Sequence, residues 1–169
     1  MIIYKNGNIL SSNADIICQQ VNCQGVMGSG LAKEIRTGFP QCYKEYKMFC
    51  KDKTPNELLG KVNFVQENIR TYAGEDRKNI SSIDTIRIFA NIFGQLNYGK
   101  DRKLYTSYPA LESGLKEVYQ HAREKNFSVA VPHWIGCGHG GGNWNIVFDI
   151  IKNIFEDSQI ICEIWRLNK

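Results

Sequence analysis

Ser128-Val129-Ala130-Val131-Pro132-His133 runs directly into Trp134-Ile135-Gly136-Cys137-Gly138-His139-Gly140-Gly141-Gly142-Asn143-Trp144. The first six residues read as a buried strand, and five of the seven from Gly136 to Gly142 are glycine. Glycine tolerates positive φ and lets a ligand approach the backbone closely. An amphipathic helix follows at once, so N–H groups at its start and in the loop can face an anion, most often a phosphate. This loop is the expected functional centre, and a strand–loop–helix unit of this kind points to an α/β fold.

A second unit of the same kind stands near the N-terminus. Asp15-Ile16-Ile17-Cys18-Gln19-Gln20-Val21 reads as a short buried strand, leading into Asn22-Cys23-Gln24-Gly25-Val26-Met27-Gly28-Ser29-Gly30. Leu31 and Ile35, one turn apart, then begin a helix. One glycine loop suits one phosphate. Two that converge suggest a diphosphate held along its length.

The rest of the chain reads as alternating elements. Strands are expected at Ile2 to Lys5, Val62 to Gln66, Arg87 to Phe93 and Ile160 to Arg166. A helix is expected from Ser29 to Thr37, and another from Pro40 with Tyr43, Tyr46 and Phe49 on one face. Leu111, Leu115, Val118 and Ala122 mark a strong amphipathic helix. Asn143 can cap the helix whose inward stripe is Val147, Ile150, Ile151 and Ile154. Glu67 to Asp84 is polar and reads as irregular, a site of disorder or an exposed excursion. Strands alternating with helices imply an α/β sandwich with its sheet covered on both faces.

At 169 residues the chain suits one domain, residues 1–169, with a self-sufficient core. Its net charge of +4 is small and evenly spread, and no aromatic-basic stripe marks it for nucleic acid. The basic stretch Lys100-Asp101-Arg102-Lys103 is broken by an acid and reads as a solvated loop. No segment is apolar enough for a membrane helix, and no secretory signal pattern opens the chain. The six cysteines therefore read as free thiols in a reducing, cytoplasmic compartment. No Cys-x-x-Cys occurs, and His133, Cys137 and His139 lack a fourth ligand nearby, so no metal site is expected. No cofactor is expected either, and the chain reads as a monomer.

Three other readings of the glycines fail. Gly136-Cys137-Gly138-His139-Gly140-Gly141 matches G-x-G-x-x-G, but a dinucleotide fingerprint opens its first βα unit, and here only one strand remains. A phosphate-binding P-loop needs a Lys-Ser or Lys-Thr after the glycines. A cysteine phosphatase needs an arginine six residues after Cys137, where Asn143 stands. A tight structural turn would explain two or three glycines out of the five.

Together the motifs resemble the macrodomain family over nearly the whole chain. Gly7-Asn8-Ile9 looks like its Gly-Asp-Ile, and Asp15 to Asn22 looks like its Asp-Ala-Ile-Val-Asn-Ala-Ala-Asn. Met27-Gly28-Ser29-Gly30-Leu31-Ala32-Lys33-Glu34-Ile35 resembles the first glycine loop. Ile135-Gly136-Cys137-Gly138 with Gly140-Gly141-Gly142-Asn143-Trp144 resembles the second. The Ile-Gly-Cys-Gly wording and Phe39-Pro40 are closest to the terminal ADP-ribose protein glycohydrolases and the yeast-type ADP-ribose 1″-phosphate phosphatases, with phage and bacterial relatives.

The resemblance implies a three-layer α/β/α sandwich on a mixed, mostly parallel sheet. It also implies binding of ADP-ribose or an ADP-ribosylated macromolecule. Asn8 and the amide of Ile9 would face the adenine, and Gly28, Ser29, Gly30, Gly136, Cys137, Gly138, His139, Gly140 and Gly141 would surround the phosphates. Asn22 would bind the distal ribose, or would simply turn the strand end. Trp165 takes the place of the family's adenine-stacking tyrosine, with core packing as the alternative.

For catalysis the glycohydrolases use a lysine and an aspartate, whose positions fall at Gln95 and Gly140, neither able to serve. The phosphatases' histidine is replaced by Gln19. His139 is the titratable group in the second loop, of a type that works near neutrality, and a water positioned by Asn22 is the other route. The reading is a hydrolase of an ADP-ribose derivative, a 1″-phosphate or ester-linked ADP-ribosyl group, or else a binding module for ADP-ribose.

Overall fold

The computed structural model describes residues 1–73 and 81–167. Six strands, β1 (Ile2–Asn6), β2 (Ile16–Asn22), β3 (Val62–Ala73), β4 (Ser81–Gln95), β5 (Val129–Pro132) and β6 (Cys162–Arg166), form one sheet in the order β1-β6-β5-β2-β4-β3. Every neighbouring pair is parallel except the antiparallel β3–β4 pair. Five helices flank the sheet: α1 (Gly30–Gly38), α2 (Pro40–Lys51), α3 (Pro55–Leu58), α4 (Tyr108–Lys125) and α5 (Trp144–Phe155). The expected mixed, mostly parallel α/β sandwich is the fold observed.

Strand periodicity sorts the core into two layers. Ile16, Cys18, Ile88, Ala90, Val129 and Val131 pack with Leu111, Leu115, Val118 and Ala122 of α4 and with Val147, Ile151 and Phe155 of α5. Ile17, Phe89 and Ala130, on the opposite face, pack with Ile35 of α1 and Cys42 of α2. Ile150 and Ile154, read as part of the inward stripe of α5, are only partly buried, and Phe155 completes that stripe. Among the described residues no helix is long and apolar enough to cross a membrane.

Local chemistry explains the helix boundaries. Pro40 opens α2 and holds Phe39 before it out of helical conformation, at φ −135° and ψ 72°. Ser107 accepts from the Ala110 amide to cap α4, and Asn126 ends it in the left-handed region at φ 55°. Asn143 caps α5 by accepting from the Asn145 amide at 2.9 Å. The single turn of α3 and a 3-10 turn at Ile9–Ser11 had no periodic signal to betray them. A capping box between Thr54 and Glu57 holds α3.

One expectation is overturned. Where it is described, Glu67 to Asp84 is not irregular: β3 and β4 continue as an antiparallel ladder from Glu67↔Arg87 to Ala73↔Ser81, and residues 74–80 lie outside the described residues. Asn68, Asp84, Thr85 and Ile86 of this extension are exposed, so no alternation of buried and exposed residues was available to announce a strand there.

The chain leaves β2 toward β4 on one side and leaves β5 toward β6 on the other, with β2 and β5 adjacent. A crevice opens at such a reversal, beyond the carboxyl ends of the strands. Both glycine loops emerge there.

Candidate functional site

Asn22 ends β2 and shapes the first loop. Its Oδ1 accepts from the Gln24 amide at 3.0 Å and the Val26 amide at 3.3 Å, while its Nδ2 donates to the Val26 carbonyl at 2.7 Å. The buried Tyr46 hydroxyl, reaching from α2, contacts the Asn22 carbonyl at 2.8 Å and Oδ1 at 3.1 Å. Burial holds the Tyr46 hydroxyl protonated, far above the usual tyrosine range. Asn22 therefore turns the strand end, and one Nδ2 hydrogen remains for the cleft it lines. Tyr46→Phe should cost about 1–3 kcal/mol, the usual penalty for stranding a buried hydrogen-bonding group. The denaturant midpoint should fall, and hydrogen exchange at the Gln24 and Val26 amides should speed up.

Beyond that turn the backbone offers donors. Ser29 stands at the N-cap of α1 without a side-chain cap, and Gly30 sits at φ +54° with nothing within 4 Å of where a Cβ would lie. The first N–H groups of a helix have no partner within it, and those of α1 open into the cleft at Gly30, Leu31 and Ala32.

The second loop is folded by its glycines more thoroughly than a simple turn requires. A Cβ at Gly140 would lie 2.5 Å from both the Gly136 carbonyl oxygen and Thr106 Oγ1, and one at Gly142 would lie 2.8 Å from the same carbonyl. Gly141, at φ +70°, would meet the Lys103 backbone, and Gly136 takes φ +71° against Gln20. Stereochemistry thus accounts for four of the five glycines, against the two or three expected; Gly138 alone of the five has open space around it. The Gly136 carbonyl is the pivot, accepting from the Gly142 amide at 2.9 Å and Thr106 Oγ1 at 2.6 Å. The Gly141 and Gly142 amides are used inside the loop. Those of Gly138, His139 and Gly140 have no partner among the described residues, leaving three consecutive donors as an anion nest.

The cleft between the loops measures about 820 Å³. Of the residues expected around a ligand, Asn22, Gly28, Ser29, Gly30, Gly136, Gly138, His139 and Gly140 line it. Asn8, Ile9, Cys137, Gly141 and Trp165 are outside its lining. Asn8 caps the 3-10 turn by accepting from the Leu10 amide at 2.9 Å, and Ile9 is buried. Trp165 packs on the layer of Ile9 and Ile17, and its Nε1 donates to Glu163 at 2.7 Å. Burial pushes the Cys137 thiol up to about 11, which keeps it protonated and a poor nucleophile. Among the described residues no three His, Cys, Asp or Glu side chains group as a metal site.

Several lining residues had no sequence signal. Lys100, read as part of a solvated loop, lines the cleft, whereas Lys103 pairs with Asp101 at 3.0 Å. Lys100 is the one Lys or Arg in the lining, and no carboxylate joins it among the described residues. Gln20 Nε2 donates to Gln95 Oε1 and Thr106 Oγ1, both at 2.8 Å. Gln19 Nε2 donates to Asn91 Oδ1 at 2.7 Å. Those donations fix both amides, and the buried Oε1 atoms of Gln19 and Gln20 are left without a donor among the described residues. Such orphan acceptors are costly unless something fills them.

No protein-family model matches the chain. The macrodomain of Mycobacterium tuberculosis DarG superposes with a TM-score of 0.75 at 25% identity, covering 98% of this chain and 97% of that one. The chain has the macrodomain fold and is similar to macrodomains over nearly its whole length. Another solved neighbour, Thermosipho africanus DarTG in complex with ADP-ribose, gives a TM-score of 0.70 at 26% identity over 96% of this chain and 40% of that one. Among curated proteins, the chain is 28% identical over 163 residues, 94% of its length, to the Thermosipho africanus DNA ADP-ribosyl transferase-DNA ADP-ribosyl glycohydrolase fusion protein. It is 37% identical over 68 residues, 36% of the chain, to an ADP-ribose 1″-phosphate phosphatase of Scheffersomyces stipitis. The chain spans about 40% of the length of both these curated relatives.

Proposed function

We propose that this macrodomain binds ADP-ribose and hydrolyses an ADP-ribose derivative, either the 1″-phosphate or an ADP-ribosyl group attached to a macromolecule. The observation that carries the reading is the pair of donor arrays facing one carboxylate-free cleft. Unpaired amides at the start of α1 and at Gly138 to Gly140 suit a diphosphate. Lys100 adds a positive charge. The volume is in the range of cofactor-sized pockets, roughly 300–1,000 Å³.

No carboxylate is in the lining, which holds two histidines, His133 and His139. His133 packs between the Trp134 and Trp144 rings, so acid–base chemistry is assigned to His139, exposed in the second loop. Asn22 contributes its remaining Nδ2 hydrogen to hold water or the distal ribose. The proposal is for a monomer, one macrodomain over residues 1–169, in a reducing cytoplasmic compartment where the thiols stay free.

Calorimetry with ADP-ribose should give one-to-one binding at micromolar strength, about −8 kcal/mol. AMP should bind far more weakly. Absence of heat at millimolar ADP-ribose would overturn the reading. Release of product is then followed from ADP-ribose 1″-phosphate, ADP-ribosylated DNA and ADP-ribosylated protein. The DNA substrate tests whether the activity named for the Thermosipho africanus relative extends to this chain. Binding without release from any of the three would make the chain a binding module, a second reading that the missing carboxylates favour.

A further inference from the structure

Two exposed aromatic side chains are described in the cleft lining, Tyr98 at 53% and Trp134 at 56%, and of the two only Trp134 has an unusual backbone. It lies in the left-handed region at φ +70°. A bulky side chain seldom occupies that region, and such strain persists where the surroundings over-determine it. Here the surroundings do. The Ile135 amide donates to the Pro132 carbonyl at 3.0 Å, the Cys137 amide to the Trp134 carbonyl at 2.8 Å, and the His133 amide to the Trp165 carbonyl at 2.8 Å. Behind the indole stands His133, its ring 5.9 Å away and tilted 29°, and His133 in turn meets Trp144 at 4.5 Å. The result is a large flat apolar face held out in water and backed by other rings.

Resting on the functional reading above, we propose that Trp134 is the stacking platform for the ligand's base, and that the subsite accepts nucleoside diphosphate riboses without strict choice of purine. Trp165, the residue the family resemblance suggests for this task, is committed to Glu163 and the core. Leu167, 71% exposed just past β6, lines the same cleft and brings a second apolar surface to the subsite. Asn8 is the polar side chain expected to read the base edge. Its Oδ1 already takes the Leu10 amide, and its Nδ2 donates to Glu34 at 3.4 Å. Recognition then falls to stacking, which tolerates different bases because each has a π face.

The test compares ADP-ribose with its hypoxanthine counterpart, inosine diphosphate ribose, and uses ribose 5-phosphate as a probe without a base. The unchanged protein should hold both nucleotides within about threefold, and Trp134→Ala should weaken both by roughly tenfold or more, the scale of one lost base stack. Ribose 5-phosphate should bind the unchanged and substituted proteins equally. Trp134→Gly should show the same loss of affinity with a melting temperature no lower than that of the unchanged protein, since glycine takes positive φ freely. ADP-ribose binding unaltered in Trp134→Ala would overturn the platform, and a preference for adenine of about thirtyfold or more would overturn the tolerance, being beyond what stacking alone discriminates. Failure of the unchanged protein to bind ADP-ribose would instead sink the functional reading.

Discussion

A glutamate in place of Gly30 should abolish ADP-ribose binding and leave the fold standing. A Cβ at this position would meet nothing within 4 Å, so the side chain has room at the mouth of the cleft. Its carboxylate would stand among the N–H groups that begin α1, where the diphosphate is placed. Two like charges about 4 Å apart repel by roughly 4 kcal/mol at an effective dielectric of 20, on the order of a thousandfold in affinity. The φ of +54° makes any non-glycine residue costly there, by about 1–2 kcal/mol. An acid at a helix N-terminus returns about 0.3–1 kcal/mol of that. The melting temperature should therefore drop by only a few degrees while calorimetric binding disappears. A variant that binds as well as the unchanged protein would place the diphosphate elsewhere.

The second large effect concerns chemistry. His139→Ala should slow release from the substrate the protein hydrolyses by roughly 10²-fold or more, the usual scale for a general acid–base group. In that step a water oxygen bonds to the reacting centre, the bond to the leaving group breaks, and the imidazole takes the proton of the water or gives one to the leaving atom. ADP-ribose affinity should barely change, because the Gly138 and Gly140 amides need no side chain at position 139 to hold their orientation. Single-turnover rates measured beside calorimetry separate the two effects. Unchanged turnover would shift the chemistry to water held by Asn22 and the substrate's own phosphates.

How much of this was legible beforehand depended on whether a residue's surroundings come from its near neighbours in sequence. The Ile16–Asn22 and Val129–Pro132 strands are runs of buried residues, and the following glycines announce the loops directly. α4 and α5 declared themselves by period. The β3–β4 extension did not, because Asn68, Asp84, Thr85 and Ile86 face water and show no alternation. In the site, Gly28, Ser29, Gly30, Gly138 and His139 could be placed on the cleft from their loops alone. Thr106 and Gln20 could not, since each matters through a partner far along the chain: Thr106 through the Gly136 carbonyl, Gln20 through Gln95 and Thr106 itself. Lys100 looked like any charge in a basic stretch. Only the docking of its loop, where the Tyr105 and Thr106 amides donate to the Gly140 carbonyl at 2.8 and 3.0 Å, turns it to the cleft. Trp165 shows the converse, a residue whose place in a motif predicts contact with ligand while its own hydrogen bond and packing engage it elsewhere.

The Gly136 carbonyl has a consequence for how ligand arrives. Thr106 and Gly142 grip it from two sides, and the Gly140 carbonyl is held by the strand-like segment at Tyr105 and Thr106. The second loop is consequently a mould set before any ligand comes. It spends none of the binding free energy on ordering itself, an expense that weakens sites built from loose segments. Encounter and capture then merge into one kinetic event, so affinity differences among nucleotides should reside in how fast each one leaves.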